Sequence, residues 1–358
     1  MNNLYGTFFQ DKIILLTGHT GFIGSWLTIL LNELDAKVIG YALPPLTQND
    51  NFVLSKLDQK IESNIGDIRD YKKLLKIVEK SQPDIIYHLA AQPIVRKSYS
   101  IPKETYDINV GGTINIIESF KNSETAKCLI NFTTDKCYEN LEQKRGYKET
   151  DRLGGYDPYS SSKACSELIT LAYRNSFFNP ENSNKIKNIS SIRCGNVFGG
   201  GDWQEDRLIP DLMKAIKQKI EFNVRNPESI RPWQFVLEAL RGLLTLTKRM
   251  WSGDTKYSGA WNFGPDAKSF LTVKELVKKI LNYLNLNNYS VKYIAESGLH
   301  ETKVLLLNTD KARTLLGWKP ELDIDNSIKL LSDWYMEEEV DYNFNVKQIK
   351  NYFKIITS

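Results

Sequence analysis

Short apolar runs and amphipathic stretches alternate through the first half of the chain. The first run, Ile13-Ile14-Leu15-Leu16, has charge before it and Thr17-Gly18 after it, and predicts a strand over 12–16 buried on both faces. Apolar residues at helical spacing follow over 22–34, and further short β-rich segments at 37–41, 61–64, 84–89, 128–133 and 188–194 predict five more strands. Between them the spacing predicts helices over 71–80, over 105–120 and from Pro158 to about 173. This order predicts an α/β fold, a doubly wound parallel (Rossmann) sheet with right-handed crossovers and ligands at the carboxyl ends of its strands.

The second half is less regular. Helical spacing recurs over 207–218, 234–249, 273–284, 309–316 and 325–335, with a strand at 260–263. A smaller mixed C-terminal lobe that binds substrate follows from this. The expected division is a cofactor-binding domain over 1–195 with later crossings near 231–264, a substrate lobe over 196–230 and 265–340, and a tail over 341–358.

Charge narrows the function classes. Lys and Arg number 47 against 43 Asp and Glu, spread along the chain, so no basic stripe for nucleic acid or a membrane surface is expected. No apolar run approaches the roughly 18 residues that span a bilayer, and the first residues lack a signal-peptide pattern, which predicts a soluble cytoplasmic protein. Cys128, Cys137, Cys165 and Cys194 have no paired spacing and the three histidines are scattered, so no metal site is expected.

The first strand ends in Thr17-Gly18-His19-Thr20-Gly21-Phe22-Ile23-Gly24. Three glycines between a strand and a helix let the chain turn tightly and bring a pyrophosphate onto free helix N–H groups. Gly18, His19, Gly21, Phe22, Ile23 and Gly24 are therefore expected cofactor contacts. The acid usual at the end of the second strand is absent, yet no Lys or Arg lies between Tyr41 and Ser55 to hold a 2′-phosphate, which favours NAD over NADP. Asp67, after the third strand and followed by Ile68, either accepts from the adenine amino group or caps the next helix. Small residues in Leu89-Ala90-Ala91-Gln92 let the backbone pass close to the cofactor.

Tyr159 and Lys163 stand four apart on one helical face, where the ammonium lowers the phenol pKa and makes it a base for a sugar hydroxyl. The fifth strand runs into Thr133-Thr134-Asp135-Lys136 at its ligand end. Thr134 is placed to hydrogen-bond the reacting oxygen. Asp135 and Lys136 add two titratable groups, more than an oxidation or epimerisation needs.

These motifs resemble the extended short-chain dehydrogenase/reductase family and, within it, the CDP-glucose 4,6-dehydratase group. The likeness runs from about residue 9 to 334 and includes Thr134-Asp135-Lys136-Cys137-Tyr138, Gly195-Asn196-Val197-Phe198-Gly199-Gly200-Gly201-Asp202-Trp203, Asp206-Arg207-Leu208-Ile209-Pro210 and Arg231-Pro232-Trp233-Gln234. It implies NAD as cofactor and a redox-neutral loss of water from a nucleoside-diphosphate hexose, giving a 4-keto-6-deoxy sugar. It implies Tyr159 as base at the 4-hydroxyl and Asp135 as acid for the departing 6-hydroxyl. Lys136 is then either the C5 base, which requires a depressed pKa, or a cation that stabilises the enolate. Ile23 departs from the lysine usual in that group. Gln92, Asn196, Arg207, Leu208, Arg231, Trp233 and His300 are implied substrate contacts, and a homodimer through paired helices is implied as well. A sugar-nucleotide epimerase or reductase on the same scaffold remains open, as does a non-catalytic sensor of NAD redox state.

Overall fold

The computed structural model describes residues 2–143, 145–179, 187–294 and 302–357. Its strands are β1 (Ile13–Thr17), β2 (Lys37–Ala42), β3 (Glu62–Ile65), β4 (Ile85–His88), β5 (Cys128–Phe132), β6 (Asn188–Cys194), β7 (Asn196–Phe198), β8 (Phe222–Arg225), β9 (Ile230–Phe235), β10 (Ala260–Phe263), β11 (Phe270–Thr272) and β12 (Val291–Ile294). Seven form one sheet in the order β10-β6-β5-β4-β1-β2-β3, every pair parallel. Strand order reverses between β1 and β4, so a crevice opens beyond Thr17 and His88.

Alternation along β1 explains why both faces need helices. Ile14 and Leu16 join a core with Trp26, Leu27 and Leu30 of the Phe22–Asn32 helix and Leu240, Leu243 and Leu244 of the Val236–Met250 helix. Leu15 points the other way, into a core with Leu74 and Val78 of the Tyr71–Ser81 helix and Ile116, Ile117 and Phe120 of the Gly112–Asn122 helix.

The helix expected over 105–120 is interrupted. Pro102–Tyr106 is helical, Asp107–Gly111 forms a π turn, and the helix resumes at Gly112. The extra residue swings Asn109 inward, where its Oδ1 accepts from the Gln92 N–H at 2.8 Å and its Nδ2 donates to Gln92 O and Ser162 Oγ.

The second lobe holds a three-stranded sheet, β11-β9-β7, and a pair, β12-β8. Of these five strands the sequence pattern predicts none. Each is short, and β9 contains Pro232, which lacks an N–H and argues against a strand. The segment 341–358 carries the Tyr342–Ile355 helix, which buries Val346, Ile349, Tyr352 and Phe353 in the main core. Asn345 Nδ2 donates to Asn51 Oδ1 and Ser55 Oγ, and Tyr352 donates to Glu238 at 2.7 Å.

Candidate active site

The turn after β1 is built for close approach. Gly18 has φ +78°, and a Cβ there would stand 2.8 Å from Ala90 N; a Cβ on Gly24 would stand 2.1 Å from Gly18 O. The Phe22–Asn32 helix begins at Gly21 with no side-chain cap, so its first-turn N–H groups face the crevice beside bare backbone. This cradle fits the pyrophosphate of a dinucleotide.

Several side chains expected at the cofactor point elsewhere. His19 is buried with Nε2 2.7 Å from Ser63 Oγ, its ring fills the space over Gly40, and burial lowers its pKa to about 4. It ties the turn to β2 and β3, leaving only its backbone for a ligand. Phe22 packs against the core beside Gly199, and Ile68 lies against Gly112. The Asp67 carboxylate is gripped by Arg69, with Nη2 at 2.6 Å, and also accepts from the Arg69 N–H. The Arg69 side chain holds the Asp67 carboxyl below its usual pKa, and the cap of the next helix is Asp70, which accepts from the Lys73 N–H, and not Asp67. Gln92 is consumed as well: Oε1 accepts from the Ile94 N–H and Nε2 donates to Ile94 O and Thr105 Oγ1, which makes it a loop-shaping residue instead of a cavity-lining one.

A cavity of about 1280 Å³ runs from Ile23, Leu89 and Ala91 past Thr133, Thr134, Lys136, Tyr159 and Lys163 to Asn196, Arg207, Leu208, Arg231 and Trp233. Residues from several separate stretches of sequence thus share one wall. The Pro158–Phe177 helix carries Tyr159 and Lys163; Asp157 caps it by accepting from Ser160 N and Oγ, and Pro158 supplies the preset first position.

Burial pushes the Tyr159 phenol up to about 12, while the hydrogen bond with Thr134 and the charge of Arg207 pull it down. Lys163 was expected to do that lowering; its Nζ instead donates to Phe132 O at 3.2 Å. Burial lowers Lys163 to about 8, with Glu167 acting to raise it. Thr134 Oγ1 donates to Asp135 Oδ1 at 3.0 Å, and Lys136 Nζ lies 3.7 Å from the same oxygen. Asp135 is fully buried, and its Oδ2 has no hydrogen-bond partner among the described residues.

Behind this wall lies a polar network that sequence reading missed. Glu167 accepts from Thr133 Oγ1, from Ser191 Oγ at 2.6 Å and from Arg193 Nη2 at 2.7 Å. Arg193 also donates to Tyr138 OH, which donates to Asn262. Thr133, expected at the cofactor, spends its hydroxyl on Glu167 while still lining the cavity. The available signal was the spacing, since Glu167 stands four residues after Lys163 on the same helical face.

Toward the second lobe, Arg207 pairs with Asp202 at 3.2 Å, and Arg231 donates to Ile230 O and Lys303 O. Trp233 donates to Leu271 O, and Asn196 Oδ1 is buried without a partner among the described residues. Arg96 and Arg225, both paired with Asp206, join this cationic end and were not expected. Tyr99 was missed too; its hydroxyl is buried at the cavity wall with no hydrogen-bond partner among the described residues. His300 lies outside the described residues.

Residues 15–331 match the family described as GDP-mannose 4,6 dehydratase. The chain belongs to this family. Among curated relatives of this 4,6-dehydratase family member, the CDP-glucose 4,6-dehydratase of Salmonella typhimurium is 44% identical over 92% of this chain and 91% of that one. The dTDP-glucose 4,6-dehydratase 1 of Escherichia coli is 26% identical over 90% and 92%. A solved dTDP-glucose 4,6-dehydratase from Streptomyces venezuelae, with NAD and TYD bound, superimposes with a TM-score of 0.77 at 23% identity, covering 91% and 97% of the two chains. An epimerase from Methanothermobacter thermautotrophicus superimposes at 0.76 with 24% identity, covering 98% and 96%. At such identity these two structures speak for the fold.

Proposed function

We propose that this chain is an NAD-dependent 4,6-dehydratase that converts CDP-D-glucose to its 4-keto-6-deoxy product and water. The observation that carries this reading is Thr134, Lys136 and Tyr159 on one cavity wall below the glycine turn, with Asp135 buried directly behind them and bonded to Thr134. The 44% identity to a CDP-glucose 4,6-dehydratase supports the choice of substrate.

Gly18, Gly21 and Gly24 would hold the pyrophosphate of NAD, and Leu89, Ala91 and Lys163 its nicotinamide end. When bound, NAD would supply a reversible hydride acceptor for the C4 to C6 transfer. Tyr159, with Thr134 against its hydroxyl, receives the proton of the sugar 4-hydroxyl. The resulting ketone acidifies C5. Asp135, in a water-excluded position with a free Oδ2, donates the proton that lets the 6-hydroxyl leave as water. Lys136, whose Nζ reaches the cavity 3.7 Å from that carboxyl group, takes the C5 proton as a neutral amine and returns it to C5 once C6 is reduced. Arg207, Arg231, Arg96 and Arg225 would hold the diphosphate, and Asn196 and Trp233 line the same end.

The test incubates purified protein and NAD with CDP-glucose, dTDP-glucose, GDP-mannose and UDP-N-acetylglucosamine, and reads the loss of one water by mass spectrometry. Loss from CDP-glucose alone is expected. Loss only from another donor moves the substrate, and no loss from any refutes the reading.

The same reading includes a cytoplasmic homodimer. Among the described residues no helix is long and apolar enough to cross a membrane. Ile114 on the Gly112–Asn122 helix and Leu168, Leu171 and Phe177 on the Pro158–Phe177 helix are exposed apolar residues on the outer layer, suited to a second copy in a four-helix contact. Light scattering at twice the chain mass is the expected result.

A further inference from the structure

A second cavity, of about 580 Å³, lies against the Pro158–Phe177 helix, β6 and the start of β10, and shares no cavity-lining catalytic residue with the first. Two cations converge in it. Gly259, with φ +150°, presents bare backbone, and a Cβ there would be 3.4 Å from Arg174 Nη1 and 3.6 Å from Lys311 Nζ. Arg193, itself almost fully buried, lines the same cavity with its Nε unpartnered among the described residues.

We propose that this cavity binds a small phosphate-type oxyanion through Arg174, Lys311 and Arg193. The donors are available. The guanidinium of half-buried Arg174 makes no hydrogen bond or ion pair with any described residue, and Lys311 Nζ spends one N–H on Ala260 O at 2.7 Å. The carboxylates that line the cavity each have a hydrogen-bond partner of their own. Glu167 is taken by Arg193, Asp151 by Arg145 at 2.7 Å, Asp310 by Asn308 at 2.8 Å, and Glu149 Oε1 accepts from the Asn262 N–H at 2.8 Å. Burial pushes both Arg174 and Lys311 below their ordinary pKa values; the charges of Glu167 and Glu149 act the other way, and Arg193 adds repulsion to each. A bound anion would relieve that repulsion and satisfy the spare donors together. The volume leaves room for a phosphate alone or for a phosphate carrying a sugar-sized group.

The experiment titrates inorganic phosphate, and separately glucose 1-phosphate, into the full chain at constant ionic strength. Saturating CDP keeps the first cavity's cations filled, and binding is read by calorimetry and by the unfolding temperature. A saturable response is expected, weakened at least tenfold in Arg174→Gln and in the Arg174→Gln/Lys311→Gln double variant. A response to both probes alike assigns the site to the free oxyanion, and a stronger one to glucose 1-phosphate assigns it to a phosphate-bearing molecule. No saturable response in the wild type, or an equal response in both variants, overturns the proposal. Arg174→Gln alone keeps the test decisive should the double variant not fold.

Discussion

Replacing Glu167 by Gln keeps the shape of the side chain and removes its charge. In the wild type its carboxylate is buried and accepts from three donors, with Arg193 at 2.7 Å. Gln leaves the Arg193 guanidinium buried with only the Tyr138 oxygen, the Glu149 carbonyl and the Tyr138 ring face beside it. Removing one partner of a buried pair costs about 3–5 kcal/mol, and retained hydrogen bonding puts this change near the lower figure, about 3. At about 2.1 cal/mol/K of unfolding entropy per residue, a chain of 358 residues loses roughly 4 °C of Tm. Calorimetry at pH 7 checks this, and a fall under about 1 °C would refute the reasoning. Burial alone would raise Glu167, but the charge and hydrogen bonds of Arg193, then Ser191 and Thr133, hold it below the usual carboxylate range. Its contribution is therefore complete above the ordinary glutamate pKa, about 4.3, and is lost as pH falls through the lowered value. The Tm gap between wild type and variant should hold from pH 7 to 5 and close only in stronger acid. Because Glu167 also raises Lys163, the alkaline limb of the pH–rate profile, near pH 8 in the wild type, should move to lower pH.

Asp135→Asn should lower kcat by about a hundredfold to ten-thousandfold with KM little changed, as expected for lost general-acid chemistry; an equal loss in binding, read by calorimetry with CDP-glucose, would count against the acid role. Lys163→Met should abolish turnover yet raise Tm at pH 7. Burial lowers this lysine from 10.5 to about 8, so its charged form opposes folding by an amount of order 3 kcal/mol below pH 8, a penalty that vanishes toward pH 10.5. The gain should shrink over that same interval, and a pH-independent difference would refute the cause. Asn345→Ala should cost about 1–3 kcal/mol in denaturant unfolding by stranding the Trp334 indole N–H and the polar groups of Asn51 and Ser55, with kcat unaffected.

What could be read from the sequence was local. β6 and β10 lie over the residues expected, because a short segment of strand-forming residues is recognisable without knowledge of its neighbours. Their pairing, Ala260 with Ser191, depends on a crossover through the second lobe that no window of sequence contains. Tyr159 and Lys163 are visible because one helical turn relates them. The Glu167–Arg193 pair is not, since it forms only where the helix meets β6. The π turn at Asp107–Gly111 escapes because an apolar period survives one inserted residue. His19 sits in a ligand-binding motif, but its side-chain direction is set by the missing Cβ of Gly40 on the next strand.

The contact of Asn345 with Asn51 joins residues 294 positions apart. Closing so long a loop adds little to the equilibrium cost, since each doubling of length adds only about 0.6 kcal/mol. Its effect falls on the order of assembly. Neighbouring strand–helix units can form while the Tyr342–Ile355 helix is still undocked, and until it arrives the apolar surface around Tyr335 and the Phe22–Asn32 helix stays open. Two molecules caught at that stage can each accept the other's helix, so refolding at high concentration should yield helix-exchanged pairs held by the same contacts that a single chain makes within itself.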